Sequence, residues 1–81
     1  MNNSFYNDFA ARFAASTLTS LVESFNSQVG NRGFTSVRAA HDRALIDELV
    51  RRGIDVSAVF DGTALSFAHH VELDNNRLVI R

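Results

Sequence analysis

Hydrophobic residues in the first third of the chain recur with the period of an α-helix, but they do so on two different faces. Phe5, Phe9 and Phe13 are spaced four residues apart, with Tyr6 beside them. A second apolar stripe occupies residues 18–29, and on a helical wheel its centre lies roughly 140° from the first. Since one straight helix would need two separate surfaces to cover both stripes, the pattern predicts two short helices or one sharply kinked helix.

Helix-end signals agree with this division. Ser20 and Glu23 have the spacing of a capping box, which indicates a helix start near the change of face. Gly30 follows the second stripe and is typical of a left-handed residue that closes a helix.

A longer helix is predicted over residues 35–52. Thr35 or Ser36 can cap its start, and Gly53 follows two arginines as a left-handed stop signal. Its acidic and basic residues stand four positions apart, which is typical of a solvated helix face. The buried side is predicted to consist of Val37, Ala40, Ala44, Leu45 and Leu49.

After Gly53 the apolar residues alternate with polar ones, which is the period of a β-strand. Asp61-Gly62 and Asn75-Asn76 are both typical of two-residue hairpin turns. Two such turns predict three consecutive antiparallel strands.

The turn positions fix the register of these strands. Closing the first turn pairs Phe60 with Thr63, and closing the second pairs Leu73 with Leu78. This register puts the large apolar residues on one face, whereas a slip of one residue would divide them. The predicted buried face consists of Leu65, Phe67, Val71, Leu73, Leu78 and Ile80, and it includes His69 as a core histidine.

The whole pattern predicts an α+β domain, in which two or three N-terminal helices pack on one face of a three-stranded antiparallel β-meander. With 81 residues, the chain is predicted to form a single domain over residues 1–81. Hydrophobic residues make up 46% of the chain, which is typical of a globular protein and too many for a disordered one.

Composition excludes several classes of function. The chain has no cysteine, which excludes disulfide frameworks, cysteine zinc sites and thiol catalysis. Its 8 basic residues, all arginine, face 9 acidic ones, and the net charge of -1 argues against extensive nucleic-acid or membrane-surface binding. No apolar run is long enough to span a membrane, and the N-terminus has no secretory pattern. We therefore expect a cytoplasmic protein with no membrane partner and no cofactor.

The histidines offer little support for a metal or catalytic site. His69 and His70 are adjacent on a predicted strand, so they point to opposite faces. His41 and His69 could meet where a helix packs on the sheet, but no spacing matches a known ligand pattern. His41 and Asp42 are neighbours on a helix, which turns them apart, and there is no nucleophile elbow. The sequence thus predicts no catalytic residue, no metal site and no enzyme.

The segment between the second and third helices is a candidate anion site. Arg32 and Arg38 flank a helix start, where free N–H groups attract phosphate or carboxylate, and Thr35 and Ser36 lie between them. The structural alternative is a glycine-capped turn with Phe34 as a hydrophobic staple. Nucleic-acid binding through the same arginines is the less favoured extension, because acidic residues compensate them along the helix.

The aromatic stripe of Phe5, Tyr6, Phe9 and Phe13 is the feature that most favours a function. A three-stranded sheet offers one small inner face, which the other two helices can largely cover. An apolar stripe left over from one protomer's core marks an interaction surface. We therefore expect a non-enzymatic interaction module that forms a homo-oligomer, in the simplest case a homodimer, or binds a protein partner; anion or nucleic-acid binding is the alternative.

The segment from Gly30 to Leu45 resembles one found in small bacterial proteins of unknown function, some of them from mobile elements. The residues that carry the likeness are Gly-Asn-Arg-Gly-Phe-Thr-Ser, then Arg-Ala and His-Asp. The likeness extends to the Asp61-Gly62 turn and residues 65–67. It implies a bacterial, cytoplasmic protein and assigns no activity, ligand or functional residue.

Overall fold

The computed structural model describes residues 4–30 and 35–81. Within these residues, three helices pack against a two-stranded antiparallel sheet, which confirms the predicted α+β class. The elements in chain order are α1 (Ser4–Ala14), α2 (Leu18–Asn26), α3 (Ser36–Arg51), β1 (Val71–Asp74) and β2 (Arg77–Ile80). None of the described helices is long and apolar enough to cross a membrane.

The N-terminal segment forms two helices, and the break falls where the apolar face changes. The Ser16 N–H donates to the Phe13 C=O at 3.0 Å, which closes the last turn of α1. Thr17 then has extended backbone angles, and its Oγ1 accepts the Ser20 N–H at 3.1 Å. The N-cap of α2 is therefore Thr17, three residues before the predicted Ser20, because the threonine hydroxyl already satisfies the Ser20 N–H.

Helix α3 ends as the sequence predicts. Gly53 has φ +81° and donates its N–H to the Val50 C=O at 2.9 Å, while the Ile54 N–H donates to the Leu49 C=O at 3.0 Å. These two bonds are the Schellman arrangement, and they satisfy carbonyl groups that would otherwise lack a partner at the helix end.

The second predicted hairpin forms with the predicted register, since β1 and β2 pair with Leu73 opposite Leu78. Asn75 and Asn76 close the turn with φ of 50° and 64°. A two-residue turn with both residues at positive φ matches the twist of the flanking strands, and asparagine tolerates this conformation better than most residues.

The first predicted hairpin is replaced by a longer turn, so the sheet has two strands where three were expected. The Asp61 Oδ1 accepts the Thr63 N–H at 2.8 Å and the Ala64 N–H at 2.7 Å. Because the aspartate side chain closes a wider loop, Phe60 forms a single bridge with Leu65 instead of pairing with Thr63.

The segment before this turn also departs from the predicted strand. The N–H groups of Val59 and Phe60 both donate to the Val56 C=O, at 3.0 and 2.9 Å, which coils the chain locally. Asp55 forms an isolated parallel bridge with Arg77, on the side of β2 away from β1. Residues 54–60 therefore cover the outer edge of β2 at one position only.

The hydrophobic core lies between the helices and the hairpin. Phe67 packs on Phe25 with 4.5 Å between ring centroids, which brings the irregular segment before β1 onto α2. The most deeply buried side chains are Leu21, Phe25, Leu45, Ile46, Leu49 and Val71.

The predicted sheet face is only half buried. Val71 and Leu78 are in the core, whereas Leu73 and Ile80 on the same face are 39% and 50% exposed. One diagonal of the hairpin, formed by Val71 and Leu78, is thus buried. His69 is exposed, so its predicted place in the core is wrong, because residues 66–70 are irregular and do not alternate as a strand.

Candidate functional site

The four residues of the aromatic stripe extend from the surface into the core. Phe5 is 53% exposed and Phe13 is 3% exposed, with Tyr6 and Phe9 half-buried between them. The C-terminal part of the stripe is therefore used inside the molecule, and the part left accessible is at the start of α1.

Phe9 and Phe13 pack against α3 through one histidine. Their ring centroids lie 5.0 and 5.2 Å from that of His41, both with edge-to-face geometry, and 6.3 Å from one another. Arg12 lies over the Phe9 ring at 5.4 Å. These contacts attach one side of α1 to the first half of α3.

Tyr6 attaches the other side of α1 to α3. Its hydroxyl donates a 2.5 Å hydrogen bond to Oδ2 of Asp47, which also accepts from Arg43 Nε at 3.2 Å through Oδ1. The hydrogen bond to Asp47, together with burial, raises the pKa of Tyr6 above 10.0. Tyr6 is therefore engaged within the protomer, with its hydroxyl protonated.

Phe5 precedes Phe9 by one turn of α1, so the two rings are neighbours on one face of that helix. We call Phe5 and Phe9 the Phe5 surface. It combines an exposed aromatic side chain with a half-buried one. Val37 on α3 is 41% exposed, so its predicted place on the buried side of that helix is wrong.

An open groove of about 340 Å³ runs along α1 and α3 on the Tyr6 side. Small side chains make it, since Ala10, Ala14 and Ala44 leave space where larger residues would close the contact. Asp47 and Glu48 line its other wall. This groove was not predicted from the sequence, where the available signal was the pair of alanines, Ala10 and Ala14, four residues apart beside Tyr6.

A buried charged cluster at the end of α3 was also missed. Glu48 is 6% exposed and accepts hydrogen bonds from Arg51 and Arg52, the latter at 2.6 Å. Arg52 Nη2 also donates to the C=O groups of Phe13 at 2.9 Å and Ser16 at 2.7 Å. The hydrogen bond from Arg51, followed by that from Arg52, lowers the pKa of Glu48 below 4.5 despite burial. The predicted solvated face at Glu48 is thus wrong, and Arg52 caps the C-terminus of α1.

The candidate anion residues are only partly brought together. Arg32 lies outside the described residues. Thr35 Oγ1 accepts the Arg38 N–H at 3.1 Å and so caps α3, while Ser36 is exposed. The Arg38 side chain turns back onto the protein, where Nη2 donates to the Gln28 C=O at 3.2 Å.

Arg38 also lies beside an acidic group and an aromatic ring. Its Nε is 3.5 Å from Asp42 Oδ2, and its guanidinium lies over the Phe67 ring at 5.7 Å. Its positive charge thus has a carboxylate neighbour inside the protomer.

His41 and Asp42 do contact one another, contrary to the expectation that neighbouring helix residues turn apart. His41 Nδ1 lies 3.0 Å from Asp42 Oδ1. In the described part of the chain, no serine or threonine hydroxyl hydrogen-bonds to this pair, and His69 is exposed. Nor do these residues include a group of three or more histidine, aspartate or glutamate side chains that could hold a metal ion.

Comparison of the chain with protein-family models, curated proteins and solved structures gives no match.

Proposed function

We propose that this protein is a non-enzymatic interaction module that associates with itself, or with a protein partner, through the Phe5 surface. The observation that supports the proposal most directly is the exposure of Phe5, a large aromatic side chain, at 53%. Phe5 stands one turn from the half-buried Phe9, and neighbouring accessible apolar residues are typical of interfaces, whereas single ones are common on any surface.

The other stripe residues contribute by holding the surface in place. Phe13 is in the core and Tyr6 is bonded to Asp47, so both fix α1 on α3. Phe9 then presents its accessible part on a helix that is held on both sides. A preorganised surface loses less conformational entropy on association than a mobile one.

Self-association is the simplest form of the proposal. A two-fold symmetric interface would bury Phe5 twice, and each phenylalanine side chain taken from water contributes about 1.5–3 kcal/mol before the cost of association. The expected dimer is therefore weak, and its population depends on protein concentration.

Sedimentation equilibrium of two matched variants tests the proposal. Phe5→Ser should shift the monomer–dimer equilibrium towards monomer, while Ile80→Ser should leave it unchanged. Ile80 is the appropriate control because its exposed fraction, 50%, is close to the 53% of Phe5, and it lies on β2 whereas Phe5 lies on α1. Circular dichroism should show both variants folded.

Two results would contradict self-association through this surface. One is a wild-type chain that stays monomeric up to about 1 mM, where even an interaction of about 4 kcal/mol becomes visible. The other is an equal loss of association in both variants. In the first case the partner-binding form is tested by chemical-shift mapping, which should place any binding protein on Phe5 and Phe9.

A further inference from the structure

The outer edge of β1 is open at Leu73. In an antiparallel pair, alternate residues direct both N–H and C=O towards the partner strand or away from it. The Arg81 N–H donates to the His70 C=O at 2.9 Å, so Val71 and Leu73, one and three positions farther, direct their groups outward. The N–H of Leu78, opposite Leu73, likewise turns away from β1 and donates at 2.8 Å to a residue outside the hairpin.

At Val71 a side chain occupies this edge. The Val71 N–H donates to Asn26 Oδ1 at 2.8 Å, and Asn26 Nδ2 donates to the Val71 C=O at 3.0 Å. One amide that accepts and donates at the same residue reproduces the two bonds that a residue of a neighbouring strand would make. The edge of β1 is therefore suited to an added strand, and α2 fills only its first position.

Leu73 is the second position along the same edge, about 6.8 Å farther on. Within residues 4–30 and 35–81, its outward N–H and C=O have no hydrogen-bond partner, and the residue is 39% exposed. A groove of about 270 Å³ lies between this edge and α2. Its apolar part is formed by Val22 and Leu73, and its charged part by Glu23, Glu72 and Arg81.

A second copy of β1 is a poor occupant of this edge. Antiparallel pairing centred on Leu73 would place Glu72 of each copy directly opposite Asp74 of the other. Like charges in directly opposite positions destabilise a pair of strands. The edge therefore disfavours self-pairing, even though its backbone is free to form it.

The charges around the groove favour a cationic partner. In the part of the chain that the structure describes, neither Glu23 nor Glu72 takes part in an ion pair, and Asp74 lies no closer than 3.8 Å to Arg77. In the lining of the groove, the carboxylates of Glu23 and Glu72 outnumber the guanidinium of Arg81. Since opposite charges facing one another across strands are favourable, basic residues suit the positions beside Glu72 and Asp74.

We propose that the edge of β1 at Leu73 binds an extended segment of a protein partner, in which one apolar residue stands between two basic residues. The apolar residue exchanges both main-chain hydrogen bonds with Leu73 and packs its side chain towards Val22. The basic residues point to the other face, opposite Glu72 and Asp74. This is strand addition, with the main chain giving affinity and alternate side chains giving specificity. It uses a surface separate from the Phe5 surface and does not depend on it.

The test is a titration with two blocked synthetic peptides, followed by NMR on the labelled protein. One peptide alternates arginine and valine, and the other alternates glutamate and valine. The arginine peptide should shift the amide signals of Val22, Glu72 and Leu73, and it should slow hydrogen exchange of the Leu73 N–H specifically. The glutamate peptide should bind at least about tenfold more weakly, as expected when attractive cross-strand pairs become repulsive.

Three variants locate the site. Leu73→Pro removes the outward N–H without removing a β1–β2 hydrogen bond, and should abolish protection and binding. If that variant fails to fold, Glu72→Gln and Asp8→Asn locate the site instead. Each of them removes one exposed carboxylate, so both change the net charge by the same amount. Glu72→Gln should weaken the binding of the arginine peptide about threefold, and Asp8→Asn should leave that binding unchanged.

The proposal is overturned if both carboxylate variants weaken binding equally, or if the shifts map to Phe5 and Phe9. It is also overturned if the Leu73 N–H stays unprotected in the presence of bound arginine peptide. Protection of Leu73 that rises with protein concentration, without peptide, would identify a second copy as the occupant and would likewise overturn it.

Discussion

Tyr6 is the single tyrosine of the chain, and there is no tryptophan, so its titration can be followed alone by the ultraviolet absorbance of the phenolate. Its hydrogen bond to Asp47 exists only while the hydroxyl is protonated, which raises its pKa above 10.0 in the folded protein. We expect the absorbance midpoint to lie above pH 10.0 in buffer and to return to about 10 in concentrated urea.

The sign of the accompanying stability change follows from the same shift. Because the folded pKa of Tyr6 is raised, the bond stabilises the fold fully below pH 10.0, and that contribution is lost as pH rises through the folded pKa. Tyr6→Phe should cost about 1 kcal/mol of unfolding free energy at neutral pH, and the difference from wild type should shrink in alkali. Asp47→Asn, which keeps an acceptor but removes the charge, should lower the midpoint; an unchanged midpoint would show that Asp47 does not hold the hydroxyl.

Single-residue roles on α3 were the least predictable part of the candidate site. Asp47 and Glu48 are adjacent and both have arginines at helical spacing, so the sequence treats them alike. In the fold Asp47 accepts a hydrogen bond from Tyr6 on α1, while Glu48 is buried and accepts hydrogen bonds from Arg51 and Arg52. Asp47 and Glu48 have different partners because of the direction from which α1 packs on α3. That direction depends on packing between residues far apart in the sequence, which local sequence patterns do not specify.

At the scale of one element, Gly53 permits a direct test of the end of α3. Its φ is +81°, and an added Cβ would meet no atom within 4 Å, so Gly53→Ala introduces no clash. The remaining cost is that of holding a residue with a Cβ in the left-handed region, about 1 kcal/mol. Urea unfolding should show this loss, and Gly53→Asn should lose less. A more stable alanine variant would contradict the role of the left-handed stop.

The two predicted hairpins show which elements the sequence can specify. Asn75 and Asn76 occupy a turn whose flanking residues make ordinary strand pairs, so the backbone preference alone sets the register. At the first turn the Asp61 side chain accepts hydrogen bonds from two N–H groups and widens the loop. The same Asp-Gly sequence can therefore form either this wider loop or a two-residue turn. The turn prediction was therefore correct for the hairpin in which side chains do not intervene, and wrong for the turn that the Asp61 side chain widens.

At the scale of the whole molecule, α1 is attached to α3 by aromatic packing at His41, by the Tyr6–Asp47 hydrogen bond and by hydrogen bonds from Arg52. The sequence identified the aromatic stripe because its spacing is periodic. How the stripe divides between core and surface could not be predicted, since Phe5 and Phe13 have the same periodicity and differ only in what lies opposite them. The open edge at Leu73 does not depend on the first hairpin, since its predicted register pairs residues 54–60 with residues 63–69 and ends before Leu73.

The hydrogen-bonded ion pairs of Glu48 predict how the free energy of unfolding changes in acid. Glu48 has a pKa below its ordinary 4.5, because Arg51 and Arg52 donate to its carboxylate, so its contribution is present above pH 4.5 and lost as pH falls through the folded pKa. Glu48→Gln should cost about 3 kcal/mol at neutral pH, since it leaves Arg52 unbalanced where it caps α1. Urea unfolding at several pH values should show the stability difference between wild type and Glu48→Gln narrowing in acid.

Asp74→Asn is the control, because that carboxyl is exposed and should change stability by less than about 0.5 kcal/mol. Parallel curves for wild type and Glu48→Gln would mean that the carboxylate charge does not hold α1 in place.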